Sequence, residues 1–362
     1  MTMPRILFHY PGVFHAELNS GEKKRPRRMW ESFGKLGYQV ETIVGTHAER
    51  AARVRAVLPH LAEFAFLYAE NSTLPFRLTT ANHLPRWPSP DLALFRAAAA
   101  AGLPAGVYYR DVYWKFASFA QEVGGLKRSL ALPFYWEELR VYARTMRRVF
   151  VQSPEFGELL GEIPVERLEV LPPGGDWEGE IARPPPPPLR LLYIGSVRPP
   201  IYDVRHVFAA MAEVQELPIA LDVVTRRDDW QACAHLYPLP ANVHVHHVTG
   251  DALSPLLLGS HLSVQHFAAD PYRRLVLPLK LFEAVSSGLP IVTGLGTATS
   301  RFVTEHGIGW TVAQGDLAGL LRSLLVDASP LAARQARLAA IRAEHTWSAR
   351  CEQVARSLAR VR

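Results

Sequence analysis

Five consecutive prolines at 184–188 constrain the folding of this chain more than any other feature of its 362 residues. Proline has no amide hydrogen and a fixed φ, so the run enters neither a helix interior nor a central strand and favours a stiff polyproline II spacer. It predicts a first domain at 1–183, a linker at 184–188, a second domain at 189–344, and a closing amphipathic helix at 345–362 placed to pack back on the first domain. Both halves open alike. Arg5-Ile-Leu-Phe-His-Tyr-Pro-Gly12 and Leu189-Arg-Leu-Leu-Tyr-Ile-Gly195 are apolar runs that end at glycine, as buried parallel strands do.

Periodicity places strands of the first half at 5–10, 39–44, 64–68, 106–109 and 148–151, with helices over 27–36, 48–57 and 130–146. The second half reads as strands at 190–194, 219–224, 243–247, 262–266, 290–293 and 309–312, with helices over 204–215, 279–287 and 317–325. Strands alternating with helices twice over imply an α/β protein of two Rossmann-like, doubly wound domains facing across a cleft. Ligands of such sheets bind beyond the carboxyl ends of the strands, so the chemistry is expected in the loops there.

Hydrophobic residues make up 48% of the chain and charged ones 20%, enough apolar material for two cores. The formal charge of +6 comes from 6 Lys and 34 Arg against 34 acids, a weak lean towards an anionic partner. Nucleic acid is not expected, because no recognition module is present. Cys233 and Cys351 lie far apart, which argues against a disulfide framework and a cysteine-rich zinc site and fits a reducing cytoplasm. On a strand, His244 and His246 share a face while His247 points away, with no carboxylate at ligand spacing, so no metal is expected. The opening apolar run is too short for a signal segment. The longest apolar stretch, 92–106, is interrupted by Arg96 and Pro104 and falls below the roughly 20 residues of a membrane span. A soluble or membrane-peripheral protein is expected.

Residues 278–293 carry the most specific pattern: Pro-Leu-Lys-Leu-Phe-Glu-Ala-Val-Ser-Ser-Gly-Leu-Pro-Ile-Val-Thr. Pro278 suits the first position of a helix, Gly288 its C-terminal stop, and Pro290 feeds a short buried strand. Lys280 and Glu283 are three apart and share a helix face. A lysine in the first turn of a helix suits a diphosphate, and a carboxylate one turn further accepts hydrogen bonds from ribose hydroxyls. Taken alone, the segment also reads as an ordinary amphipathic helix leading into a strand.

Here the sequence resembles the GT-B glycosyltransferases, in particular the retaining family 4-like group, whose second domain carries a glutamate helix followed by a Gly-x-Pro-Ile/Val-Val strand. The resemblance extends to Val149-Phe-Val-Gln-Ser153, Leu168-Glu-Val-Leu-Pro-Pro-Gly174-Gly-Asp176, the Tyr-Ile-Gly-Ser opening of the second domain, Gly307-Ile-Gly-Trp310 and His345-Thr-Trp347-Ser. It implies transfer of a sugar from a nucleotide diphosphate donor to a hydroxyl acceptor without a metal or other cofactor, in polysaccharide, glycolipid or other glycoconjugate synthesis. Glu283 takes the ribose role. Many members carry an earlier glutamate near the donor sugar, where this chain has Leu275, and a subset has instead the Pro-x-Lys found at Pro278 to Lys280. Retention is what the resemblance implies, and Leu275 leaves stereochemistry and donor sugar open.

The remaining candidates lie after predicted strands. Gly195 and Ser196 lead to Arg198, which either faces the donor diphosphate, stabilising charge on the leaving group, or is a solvated loop arginine. Arg226 is placed to reach the base or ribose, and Tyr272 to meet the donor sugar and phosphate or to pack. Asp111 either receives or orients the acceptor proton, or caps the following helix or pairs with Arg110. Gly12 allows close backbone approach to the donor. Lys23, Lys24, Arg25, Arg27 and Arg28 beside Trp30 suit a lipid-linked pyrophosphate acceptor or an anionic membrane surface, or form a solvated helix start. Two other readings compete with transfer: a nucleotide-sugar epimerase or hydrolase of the same fold, and a catalytically idle binding partner in an assembly complex.

Overall fold

A computed structural model describes residues 3–15, 21–116, 124–176, 179, 181 and 186–359. Among the described residues twelve strands form two sheets, and every strand pair is parallel. The first holds β1 (Arg5–Tyr10), β2 (Gln39–Val44), β3 (Leu67–Glu70), β4 (Ala105–Tyr108), β5 (Arg148–Val151) and β6 (Leu168–Val170) in the order β2-β1-β3-β4-β5-β6. The second holds β7 (Leu189–Ile194), β8 (Ile219–Val224), β9 (Val243–His246), β10 (Leu262–Gln265), β11 (Ile291–Gly294) and β12 (Gly309–Val312) in the order β12-β11-β10-β7-β8-β9. Strand order therefore reverses between β1 and β3 in one sheet and between β7 and β10 in the other, which opens the crevice where doubly wound sheets bind ligands.

The chain divides into two units, one running to Pro173 and resuming at Trp347, the other spanning Gly174–Thr346. This boundary lies ahead of the proline run, where the sequence predicts the cut; prolines 184 and 185 are outside the described residues. Chain pairing explains the early division, because Gly175 already belongs to the second unit: its N–H donates to the carbonyl of His345 at 2.9 Å. No side chain fits at Gly175, where Ser286 and the carbonyl of Phe282 occupy the space.

The closing helix, Trp347–Leu358, is part of the first unit. Cys351 Sγ lies 3.3 Å from the carbonyl of Met29 in the helix Gly21–Lys35, and Arg350 Nε donates to the carbonyl of Pro173 at 3.2 Å. Gly106 in β4 leaves the room that Leu358 fills, since a Cβ there would lie 3.1 Å from its methyl groups.

Alternation along β7 sends Leu189, Leu191 and Tyr193 into one core, with the helix Arg205–Glu213, and Leu192 into another, with the helices Leu279–Ser286 and Ala298–His306. The third strand lies later than its expected 64–68, at Leu67–Glu70, because residues up to Glu63 form a 3-10 turn that Phe64 closes. Phe64 and Phe66 are buried all the same, so their apolarity marks the core rather than the ladder. The stretch read as 92–106 is in part the helix Pro90–Ala100, capped by the Ser89 hydroxyl, which accepts from Leu92 N.

Beneath β1, the first unit holds a charged cluster with no solvent contact. Arg50 Nε and Nη2 reach the two Asp91 oxygens at 2.8 and 3.0 Å, and His9 Nε2 lies 2.7 Å from Oδ1. Arg50 Nη1 also donates to the carbonyl of Gly45 at 2.7 Å. Burial alone would raise the Asp91 pKa, but the His9 hydrogen bond and the Arg50 charge outweigh it and hold the pKa at about 2.

Candidate functional site

In the second unit the candidate residues collect on loops and a helix start beyond the carboxyl ends of β7, β8 and β10. After β7, Gly195 N donates to the carbonyl of Val224 at 3.0 Å, tying the loop to the end of β8, and Tyr193 OH donates to the carbonyl of Ser196. Arg198 follows with half its side chain exposed, its Nε 2.7 Å from Asp229 Oδ1 and an Nη donating to the carbonyl of Asp228 at 3.1 Å. Arg226 is exposed and forms the N-cap of the helix Arg227–Cys233.

The loop after β10 is folded around Asp270, whose Oδ1 accepts the backbone N–H of Tyr272 and of Arg273, both at 2.8 Å. Arg273 also ion-pairs with Asp270 and lies 4.8 Å from the centroid of Phe267. Pro278 is the N-cap of the helix Leu279–Ser286, one residue ahead of its expected first helical position, in extended conformation. The stop is as the residues dictate: Gly288 takes φ +62°, and the N–H groups of Gly288 and Leu289 return to the carbonyls of Val285 and Ala284, a Schellman ending.

Within that helix Lys280 Nζ lies 2.8 Å from Glu283 Oε2, the lysine 42% exposed and the glutamate 14%. A cation and a carboxylate are thus held together at the start of a helix that opens towards the crevice end of the sheet. A phosphate would compete with Glu283 for the ammonium, and a pair of ribose hydroxyls with Lys280 for the carboxylate.

Next to these loops is a pocket of about 350 Å³ lined by Pro200, Ile201, Asp203, Arg205, His206, Phe267, Ala268, Arg273 and Gln314. His206 Nε2 is 2.8 Å from His266 Nδ1, and His266 Nε2 is 2.9 Å from the carbonyl of Val312. The carbonyl requires the proton on His266 Nε2, so His206 donates to His266 Nδ1. Burial, reinforced by the neighbouring His206, lowers the His266 pKa to about 4, which keeps that ring neutral. Nothing in the residue spacing marks this pair, because the two histidines are 60 residues apart. Of the other histidines, His246 Nε2 bonds Asp222 Oδ1 at 2.7 Å and His247 Nδ1 lies 2.9 Å from the carbonyl of Thr225.

In the first unit, Asp111 lies after β4 in a loop gripped from both sides. Arg110 N donates to Asn71 Oδ1 at 2.7 Å, and Gln152 Nε2 donates to the carbonyl of Arg110 at 2.7 Å. Asp111 Oδ1 accepts Tyr113 N at 2.8 Å, so the carboxylate does cap the short turn that follows, and Arg110 turns to Glu70, 3.5 Å away. Gly12 lies against the Tyr10 ring, which a Cβ there would meet at 2.7 Å.

Burial takes one member, Arg25, out of the basic run. Arg25 is 2% exposed, its Nε bonded to both oxygens of the fully buried Glu70 at 3.0 and 3.2 Å and its guanidinium over the Tyr108 ring, so it is not a surface cation for a membrane. Arg27 and Arg28 both bond Glu31, at 2.6 and 2.8 Å, and Arg27 lies over Trp30, whereas Lys23 and Lys24 are half-buried.

Asn71 links the Asp111 loop to Glu138, a buried carboxyl that accepts Asn71 Nδ2 at 3.1 Å and Phe76 N at 2.8 Å. Burial, opposed by these hydrogen bonds, raises the Glu138 pKa to about 8. Between the unfolded value of 4.5 and about 8 the folded state holds a proton that the unfolded state has lost, so stability falls as pH rises through that window. Denaturant titrations of the wild type from pH 5 to 8 are expected to show this decline, with a limiting slope of about 1.4 kcal/mol per pH unit, and Glu138→Gln is expected to flatten it.

No protein-family model matches the sequence, and no curated protein does so significantly. Solved structures do match over the whole chain. Anabaena Alr3699/HepE, solved with UDP and glucose, is similar at TM-score 0.61 and 14% identity over 98% of this chain and 99% of that one. WaaG, a glycosyltransferase involved in lipopolysaccharide biosynthesis, gives TM-score 0.58 at 16% identity over 98% and 99%. Sucrose-phosphate synthase from Thermosynechococcus elongatus gives TM-score 0.59 at 16% identity over 98% of both chains. With two parallel six-stranded sheets in two Rossmann-like units, the chain has the GT-B fold.

Proposed function

We infer that the chain is a glycosyltransferase whose second unit binds a nucleotide diphosphate sugar and passes the sugar to a hydroxyl acceptor. The observation that carries this reading is the Lys280–Glu283 pair at a helix start beyond the carboxyl ends of a doubly wound sheet. It agrees with the likeness to Alr3699/HepE, a protein solved with UDP and with UDP-glucose. Lys280 and Arg198 neutralise the diphosphate and stabilise charge as the bond to the leaving group breaks, and Glu283 accepts the ribose hydroxyls. Gly195, Ser196 and Tyr272 shape the approach, Arg226 faces the base, and Asp111 orients the acceptor hydroxyl. The reaction uses no bound metal. Its setting is polysaccharide, glycolipid or other glycoconjugate synthesis in the cytoplasm, with a lipid-linked hydroxyl as one candidate acceptor.

Calorimetric titration with UDP, ADP and GDP and their sugar conjugates tests the donor site. Glu283→Gln and Lys280→Ala are each expected to weaken the best-bound nucleotide about tenfold or more, as loss of a charge-assisted hydrogen bond predicts, with melting unchanged. Equal affinity in both folded variants would remove the donor site. Donor turnover with and without acceptor then separates transfer from epimerisation, hydrolysis and an idle binding role.

A further inference from the structure

Two neighbouring segments of the first unit expose large apolar side chains. Leu126 and Leu130, in the helix Gly125–Thr145, are 76% and 65% exposed, and Leu84 and Trp87, in the loop before the helix Pro90–Ala100, are 60% and 66% exposed. Leu126, Leu130 and Phe134 recur every fourth residue and so form one stripe. The Trp87 ring, 6.4 Å from that of Phe134, joins the loop to the stripe. No residue of this helix before Tyr135 is buried, so its first turns contribute nothing to the core.

Within these two described segments charge has one sign. Arg86 and Lys127 are exposed and Arg128 is half-buried, while residues 81–88 and 125–136 contain no Asp or Glu. The next acid along the helix, Glu137, is neutralised by Arg77, which binds it with two hydrogen bonds at 2.6 and 2.7 Å and lies over Trp87. A second copy of the chain on this patch would set like charges against each other. An anionic bilayer supplies both an apolar layer for leucine and tryptophan and a negative surface for the three cations.

We propose that this Leu–Trp stripe with its rim of Arg86, Lys127 and Arg128 is a docking surface for anionic phospholipid bilayers. It uses residues other than the basic run at 23–28, and it stands whether or not the donor site binds a nucleotide. The test sediments the full chain with vesicles of mixed phosphatidylcholine and phosphatidylglycerol and with vesicles of phosphatidylcholine alone. Binding to the mixed vesicles, weakened by added salt, is expected. Leu126→Glu with Leu130→Glu is expected to lower partitioning about tenfold or more while melting is unchanged, because both side chains are exposed. Trp87→Ala tests the loop separately in the same direction. Absence of wild-type binding, equal binding to neutral vesicles, wild-type partitioning by the folded variants, or a dimer that the double substitution dissolves would each overturn the proposal.

Discussion

Replacing Arg50 with leucine is expected to destabilise the protein by about 3–5 kcal/mol, the cost of leaving one partner of a buried ion pair without compensation. Arg50 has no solvent exposure and holds both oxygens of Asp91, so its loss strands a buried carboxylate next to His9. Measured against a total stability of about 5–15 kcal/mol, such a change removes a large fraction of the margin that keeps the chain folded. Chemical denaturation of wild type and variant at neutral pH measures it. The double variant Arg50→Leu, Asp91→Leu is expected to recover part of the loss, since removing both charges removes the desolvation penalty. A single variant with an unchanged midpoint would show that the cluster contributes nothing net. The pH dependence has the opposite sign to that of Glu138. The Asp91 pKa is held below its unfolded value of 3.8, so its contribution is present above that value and is lost as pH falls towards about 2.

The largest expected effect on catalysis belongs to Asp111. If the carboxylate orients the acceptor hydroxyl, Asp111→Asn should lower transfer by about 10² to 10⁴, the range for loss of a general base, and leave nucleotide affinity intact. Asparagine keeps an oxygen that can accept Tyr113 N, so the turn it caps survives and the variant separates charge from capping. Single-turnover transfer with a saturating donor is the measurement. Wild-type rates would assign Asp111 to structure alone, and the base would then be the donor phosphate or another group at the site.

Much of the architecture was legible because short-range physics writes it into the chain. Apolar runs ending at glycine marked β1 and β7, and Pro278, Gly288 and Pro290 bounded the helix and strand that carry Lys280 and Glu283. The half-exposed edge strand Leu168–Val170 carries no apolar run to mark it. The helix Ala298–His306 has only its end signals in the sequence, Thr297 as cap and Gly307 as stop.

What residue order by itself determined was where strands and helices begin and end, and which loops follow the strands, since propensity, capping and periodicity act within a few residues. Only the tertiary structure decided which charges face inward and with whom. Arg25 reads as one of five basic residues in a surface run, yet Glu70, forty-five positions later, draws it into the core. The partnerships of His9 with Asp91, His206 with His266 and Asn71 with Glu138 likewise join residues that no local pattern connects. Burial and pairing are set by the folded neighbourhood, and they determine whether a polar residue is a surface group, a structural ion or part of a site.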